Sequence, residues 1–120
     1  MKSPTINGNF TITDEHEPWG RVICARGELD ITAVPELRAH LGQAVDAGTH
    51  RLLLDFDAVT FIDSVSLAAI VAAERRMGPE GRLVIATGHE YVLLILEAGG
   101  LDDVVEVFAT RDEAEAALLE

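Results

Sequence analysis

The sequence predicts an α/β domain built on a mixed, mostly parallel β-sheet. Three observations carry that expectation. Short apolar runs that suit strands alternate with segments of helical periodicity. Glycine, proline and capping residues punctuate the connections between them. The chain of 120 residues has the commonest length for one domain, and no repeat, low-complexity tract or linker divides it. The expected order is β-β-α-β-α-β-α-β-α, one domain over residues 1–120 with its core from about 10 to 119 and about four helices. Strands alternating with helices imply parallel pairing through right-handed crossovers, and the opening hairpin makes the sheet mixed.

Residues 10–14 alternate apolar and polar side chains and read as an edge strand. The polar stretch Glu15-His16-Glu17-Pro18 turns the chain. Residues 19–26 form a second strand paired with the first, ended by Gly27-Glu28-Leu29-Asp30. Val34, Leu37, Leu41 and Val45 recur at helical spacing in a helix from about residue 32 to 47. Pro35 falls in its first turn, where no amide donor is needed, and Gly48 stands where a left-handed cap is wanted. Arg51-Leu52-Leu53-Leu54-Asp55 is too short for a helix and apolar within, as a strand covered on both faces is.

Val59-Thr60-Phe61-Ile62 leads into Asp63-Ser64, where a second helix begins and runs to about Met77, stopped by Gly78-Pro79-Glu80-Gly81. Leu83-Val84-Ile85-Ala86 is another buried strand. Residues 90–98 make a third helix ended by Gly99-Gly100, and residues 104–108 a last strand. Thr110-Arg111-Asp112-Glu113 is a capping box that opens a final helix to Leu119. Functional loops of such sheets gather at the carboxyl ends of the strands. Two loops, residues 27–30 and Asp63-Ser64, should therefore share one end of the molecule.

Composition narrows the function classes. Twenty-one acidic against nine basic residues give a net charge of −12. That field repels phosphate backbones and anionic bilayers, so nucleic-acid and membrane-surface binding are not expected, whereas a basic face on a protein partner is attracted. No apolar run approaches the ~20 residues of a membrane span. Met1-Lys2-Ser3-Pro4 leads into polar residues, not a signal-peptide core, and a cytoplasmic location is expected. Cys24, the single cysteine, excludes an internal disulfide and fits a reducing compartment. Its setting, Val22-Ile23-Cys24-Ala25, reads as a small core residue, with a reactive thiol as the alternative.

Motifs for catalysis are scarce. The four histidines, His16, His40, His50 and His89, are scattered and no cysteine lies beside them, so no metal is expected. The glycine patterns of dinucleotide and P-loop sites are absent, and no cofactor is expected. Ser64 sits in Ile62-Asp63-Ser64-Val65-Ser66 without the glycines of a nucleophile elbow, and no histidine falls in the loops assigned beside it. A serine hydrolase is thus disfavoured, and the chain reads as a binding module, not an enzyme. Ser64 at a helix start has two readings. Serine is a favoured N-cap; alternatively, a phosphate on it would meet free amides and the positive helix end.

The segment Leu52-Leu53-Leu54-Asp55-Phe56-Asp57-Ala58-Val59-Thr60-Phe61-Ile62-Asp63-Ser64 resembles the central signature of the STAS domain, in particular that of bacterial anti-sigma factor antagonists. Gly27-Glu28-Leu29-Asp30 matches a second element. Gly81-Arg82-Leu83, residues 96–101 and the closing helix match a looser third part. The resemblance implies an antagonist that binds an anti-sigma factor, itself a serine kinase with a histidine-kinase-like ATPase fold, and so releases a sigma factor. It further implies that the kinase phosphorylates Ser64 to end the interaction and that a PP2C-type phosphatase restores it. Asp30, Asp63, Ser64, Val65 and Ser66 would form the contact surface. The family reads serine, serine or threonine, then glycine after the aspartate; here Val65 and Ser66 follow Ser64. The missing glycine would impede close approach by the kinase, and Ser66 is a second candidate acceptor. A constitutive STAS scaffold, in a stress-signalling assembly or beside a transporter ATPase, is the alternative.

Overall fold

The computed structural model describes residues 5–7 as backbone and residues 9–120 in full. Among them six strands form one sheet in the order in which they occur along the chain. These are β1 (Thr5–Asn7), β2 (Phe10–Glu17), β3 (Gly20–Leu29), β4 (Arg51–Ile62), β5 (Arg82–Ala86) and β6 (Glu106–Phe108). The first three pair antiparallel and the rest parallel. The helices are α1 (Val34–Asp46), α2 (Ser64–Met77), α3 (Glu90–Ala98) and α4 (Arg111–Leu118). The expected mixed α/β architecture is therefore present.

From β3 to β6 the sheet grows in one direction, and right-handed crossovers then carry every connecting helix to the same face. Leu37 and Leu41 of α1, Ile70 of α2 and Val92 and Leu96 of α3 accordingly share one core with Ile23, Leu54, Phe56 and Ile85. On the opposite face α4 is the one helix that packs among the described residues, its Ala114 and Leu118 on Val22, Leu53, Val84 and Ala86. The strand-face assignment of Leu53, Leu54, Val84 and Ile85 holds: all four are fully buried. Each contributes roughly 1.5–3 kcal/mol of transfer free energy.

The boundaries differ from the sequence expectation at four places. First, β2 is not an edge strand, because β1 pairs outside it, and it runs on through Glu15 to Glu17, so the turn is only Pro18-Trp19. Second, β3 does not stop before Gly27. Gly27 takes φ 85° and brings Glu28 N–H within 2.7 Å of the Asn9 carbonyl, so the ladder continues to Leu29 and leaves Asp30 as the first loop residue. Third, the two apolar runs at 51–55 and 59–62 are one strand. Register against β3 slips twice, with one extra β4 residue between Asp55 and Ala58 and another between Val59 and Phe61. These bulges space the inward residues Phe56, Val59 and Ile62 three apart, which hides the strand from a period-two reading. Fourth, α1 starts at Val34, after a turn over residues 31–33, and β6 at Glu106, since Val104 lies exposed behind the short helix Leu101–Asp103.

Candidate functional site

Leu29 and Ile62 are partners in parallel register, so Asp30 and Asp63 leave adjacent strands side by side at the carboxyl edge. One carbonyl ties the two loops together. Leu29 O accepts the Asp63 N–H and the Ser66 hydroxyl, each at 3.2 Å. Asp63, in extended conformation, is the N-cap of α2, and its Oδ1 accepts the Ser66 N–H at 2.8 Å. The cap is thus Asp63 and not Ser64, which becomes the first helical residue. Freed of capping, the Ser64 side chain is exposed and its hydroxyl makes no hydrogen bond among the described residues.

Asp30 forms its own small turn. Its Oδ1 accepts the Thr32 N–H at 3.0 Å and the Thr32 hydroxyl, and its backbone carbonyl accepts the Ala33 N–H at 2.9 Å. The Thr32 hydroxyl, first among these donors, holds the Asp30 carboxyl below the usual range. Val65 is half-buried. Ser66 is not at the surface: it is 0 % exposed, and its hydroxyl is spent on Leu29. Its side chain therefore neither offers a second acceptor nor obstructs an approaching protein, and it drops out of the expected contact surface. The helix passes Ser66 with no positive φ, so the family glycine is not needed here for backbone geometry.

Apolar residues surround these groups, and the sequence reading missed them. Phe61, just before Ile62-Asp63, stacks on Tyr91 in the first turn of α3, with ring centroids 6.0 Å apart and planes at 21°. Ile31, directly after Asp30, is 62 % exposed, and Tyr91 and Leu94 are exposed too. A sequence signal existed for Ile31, an isoleucine that falls outside both the strand and helix patterns.

The rest of the expected chemistry resolves as follows. Among the described residues no group of three His, Cys, Asp or Glu side chains could hold a metal. His40 is buried against the Asp14 carboxylate, fastening α1 to β2. His89 lies in the loop after β5, outside the loops assigned beside Ser64 from the sequence, and no hydrogen bond joins the two. Cys24 is not a core residue. It points to the α4 side of the sheet, half-buried with Sγ 3.9 Å from an Asp55 carboxylate oxygen; burial first, then that charge, pushes its thiol pKa up. A raised pKa disfavours the reactive thiolate.

The sequence model of the STAS domain matches residues 11–114, and the chain belongs to the STAS domain family. The anti-sigma-F factor antagonist RsfB of Mycobacterium tuberculosis is 24 % identical over 106 residues, covering 88 % of this chain and 87 % of that protein. Among solved structures, an anti-sigma factor antagonist from Mycobacterium paratuberculosis superposes with a TM-score of 0.87 at 25 % identity, covering 92 % of this chain and 95 % of the other. SpoIIAA in its unphosphorylated form has the same fold, with a TM-score of 0.76 at 23 % identity over 90 % of this chain and 96 % of that one. No helix among the described residues is long and apolar enough to cross a membrane.

Proposed function

We propose that this protein is an anti-sigma factor antagonist: a cytoplasmic, non-catalytic module that binds an anti-sigma serine kinase, frees a sigma factor, and is switched off by phosphorylation of Ser64. The observation that carries the reading is an exposed Ser64 hydroxyl on the first turn of α2, flanked by the Asp63 cap and the Asp30 turn and rimmed by Ile31 and Tyr91. Relatives named as antagonists support the role. In this reading Asp30, Asp63, Ser64 and Val65 meet the kinase, with its histidine-kinase-like ATPase fold, and a PP2C-type phosphatase reverses the modification.

Charge is how the switch acts. A phosphate adds about −1.5 to −2 units at pH 7. On the first turn of α2 the amides of Ser64 and Val65 are open to it, so the domain stays folded. The Asp63 and Asp30 carboxylates stand beside it, and negative potential gathers on one small surface. Unit charges ~7 Å apart at an effective dielectric of ~20 repel by about 2 kcal/mol before screening. A partner with acidic or nucleotide phosphate groups over that surface meets a similar penalty, about thirtyfold in affinity, and steric exclusion adds to it.

The test pairs two variants with phosphate mapping. Ser64→Ala should bind the kinase and resist inactivation, whereas Ser64→Glu should bind poorly while melting like wild type. Kinase and ATP should label Ser64, and purified protein should turn over no generic ester or phosphate substrate. Equal affinity of Ser64→Glu and wild type, with no label on Ser64, would leave the constitutive scaffold as the better reading.

A further inference from the structure

We propose that the face formed by α1 and α2 is a second docking surface for the same partner and receives an acidic, helix-forming segment of it; the inference rests on the antagonist reading above. Two shallow grooves flank α2. One, of about 380 Å³, runs between α1 and α2 over Gly42, Ala69 and Ala73, with Arg38 and Arg76 on its walls. The other, of about 370 Å³, is lined by Ser64, Leu67, Val71 and Arg75 on one side and by Gly99 and Leu101 on the other. Ala68 and Ala72 are exposed on the ridge between them and belong to both.

Shape and charge both select the occupant. With nothing larger than alanine on the ridge and a glycine in the opposite floor, a helix axis can approach to the ~8–10 Å of packed helices. From Ser64 to Arg75 along α2 is about 17 Å. A patch of standard interface size, ~800 Å² per partner, centred near Ser64 therefore reaches the groove. Three of the nine basic residues border these grooves, in a chain with 21 acidic ones. Arg76 is paired with Asp46, but the Arg38 and Arg75 side chains are exposed and form no hydrogen bond or ion pair among the described residues. The Asp30 and Asp63 carboxylates thus stand at the Ser64 end of α2, while Arg75 and Arg76 occupy its last turn beside Glu74, leaving Arg38 and Arg75 as the groove cations without a carboxylate partner among the described residues. A polynucleotide would meet the same three arginines but also the field of the −12 chain. A short acidic helix feels mainly the local arginines, which also fix its direction.

The probe is the anti-sigma factor that co-purifies with the wild-type chain from its host, produced recombinantly and titrated by calorimetry at low and physiological salt. Arg38→Glu with Arg75→Glu should lower affinity at least tenfold, most at low salt, where surface charges are least screened. Ala72→Trp should lower it similarly at both salt concentrations by filling the groove. Both changes lie on exposed positions, so melting should stay within a few degrees of wild type. Ser64→Glu, at the end of the second groove nearest the Asp30 and Asp63 carboxylates, serves as the reference for the phosphorylation site. If both groove variants bind within twofold of wild type while Ser64→Glu loses affinity, the second surface is wrong and the antagonist reading stands. If the wild-type chain binds no anti-sigma factor, both fall.

Discussion

Gly27 shows how one backbone position shapes the site. A Cβ there would lie 2.2 Å from the Asn9 carbonyl oxygen, and φ is 85°. Gly27→Ala therefore combines left-handed strain of roughly 1–2 kcal/mol with overpacking of about 1–3 kcal/mol. A urea melt should lose about 2–5 kcal/mol, and a loss under ~0.5 kcal/mol would contradict the close approach. Ser66 makes the complementary point for a side chain. Its hydroxyl donates to a carbonyl that also accepts the Asp63 N–H, so Ser66→Ala leaves Leu29 O satisfied and should cost only about 0.5–1.5 kcal/mol. Phosphate mapping of wild type under excess kinase should find none on Ser66, because the folded chain does not expose it. The sequence made Ser66 look accessible because residues two apart on a helix differ by about 200° around its axis, and no signal told which of Ser64 and Ser66 faced out. That was decided by Asp63 taking the cap.

The elements differ in how much of them the sequence displayed. Ser64–Met77 and Glu90–Ala98 fall where periodicity and glycine stops put them, since capping and termination are local. β4 was seen as two pieces because its bulges break the alternation that marks a strand, and only pairing with β3 reveals its continuity. The Phe61–Tyr91 stack joins β4 to α3 across 30 positions of sequence, a contact that spacing along the chain does not encode. Helix α4 shows an attachment of the same long-range kind. Its first residue, Arg111, reaches Glu15 on β2 at 2.9 Å and Asp55 on β4 at 3.4 Å. The Arg111 guanidinium, chiefly by hydrogen bonding, holds the Glu15 carboxyl below its ordinary value. A depressed folded pKa contributes stability that is complete above the unfolded value of about 4.3 and is lost as pH falls through the folded one. With both side chains still open to solvent in part, screening keeps the contribution under ~1 kcal/mol. Urea melts at pH 6 and pH 3 should thus differ less in Arg111→Gln than in wild type; an unchanged difference would mean the pair is idle.

At the scale of the molecule, the sheet is a wall with a deep core on one side and a small one on the other. Leu53 lies between the sheet and α4, in the smaller of the two cores, and is fully buried. An unpaired carboxylate there costs about 3–5 kcal/mol, against a total of roughly 5–15 kcal/mol. Leu53→Asp should leave little folded protein at 37 °C by circular dichroism, and a cooperative melt near the wild-type temperature would contradict its burial. Surface charge is the other global property, and it is unevenly spread: the Asp30 and Asp63 carboxylates gather at the Ser64 end, while Arg38, Arg75 and Arg76 border the α1–α2 grooves. The strand order has a consequence of another kind. Because each strand pairs with the one made just before it, no strand waits for a later segment to be inserted beside it. Long-range pairings that must form late slow folding and leave edges open, and a sheet assembled in chain order avoids most of them. On a translating ribosome, where the amino-terminal part emerges first, the β2–β3 hairpin is already a template when β4 appears, and each later strand completes the edge left by its predecessor.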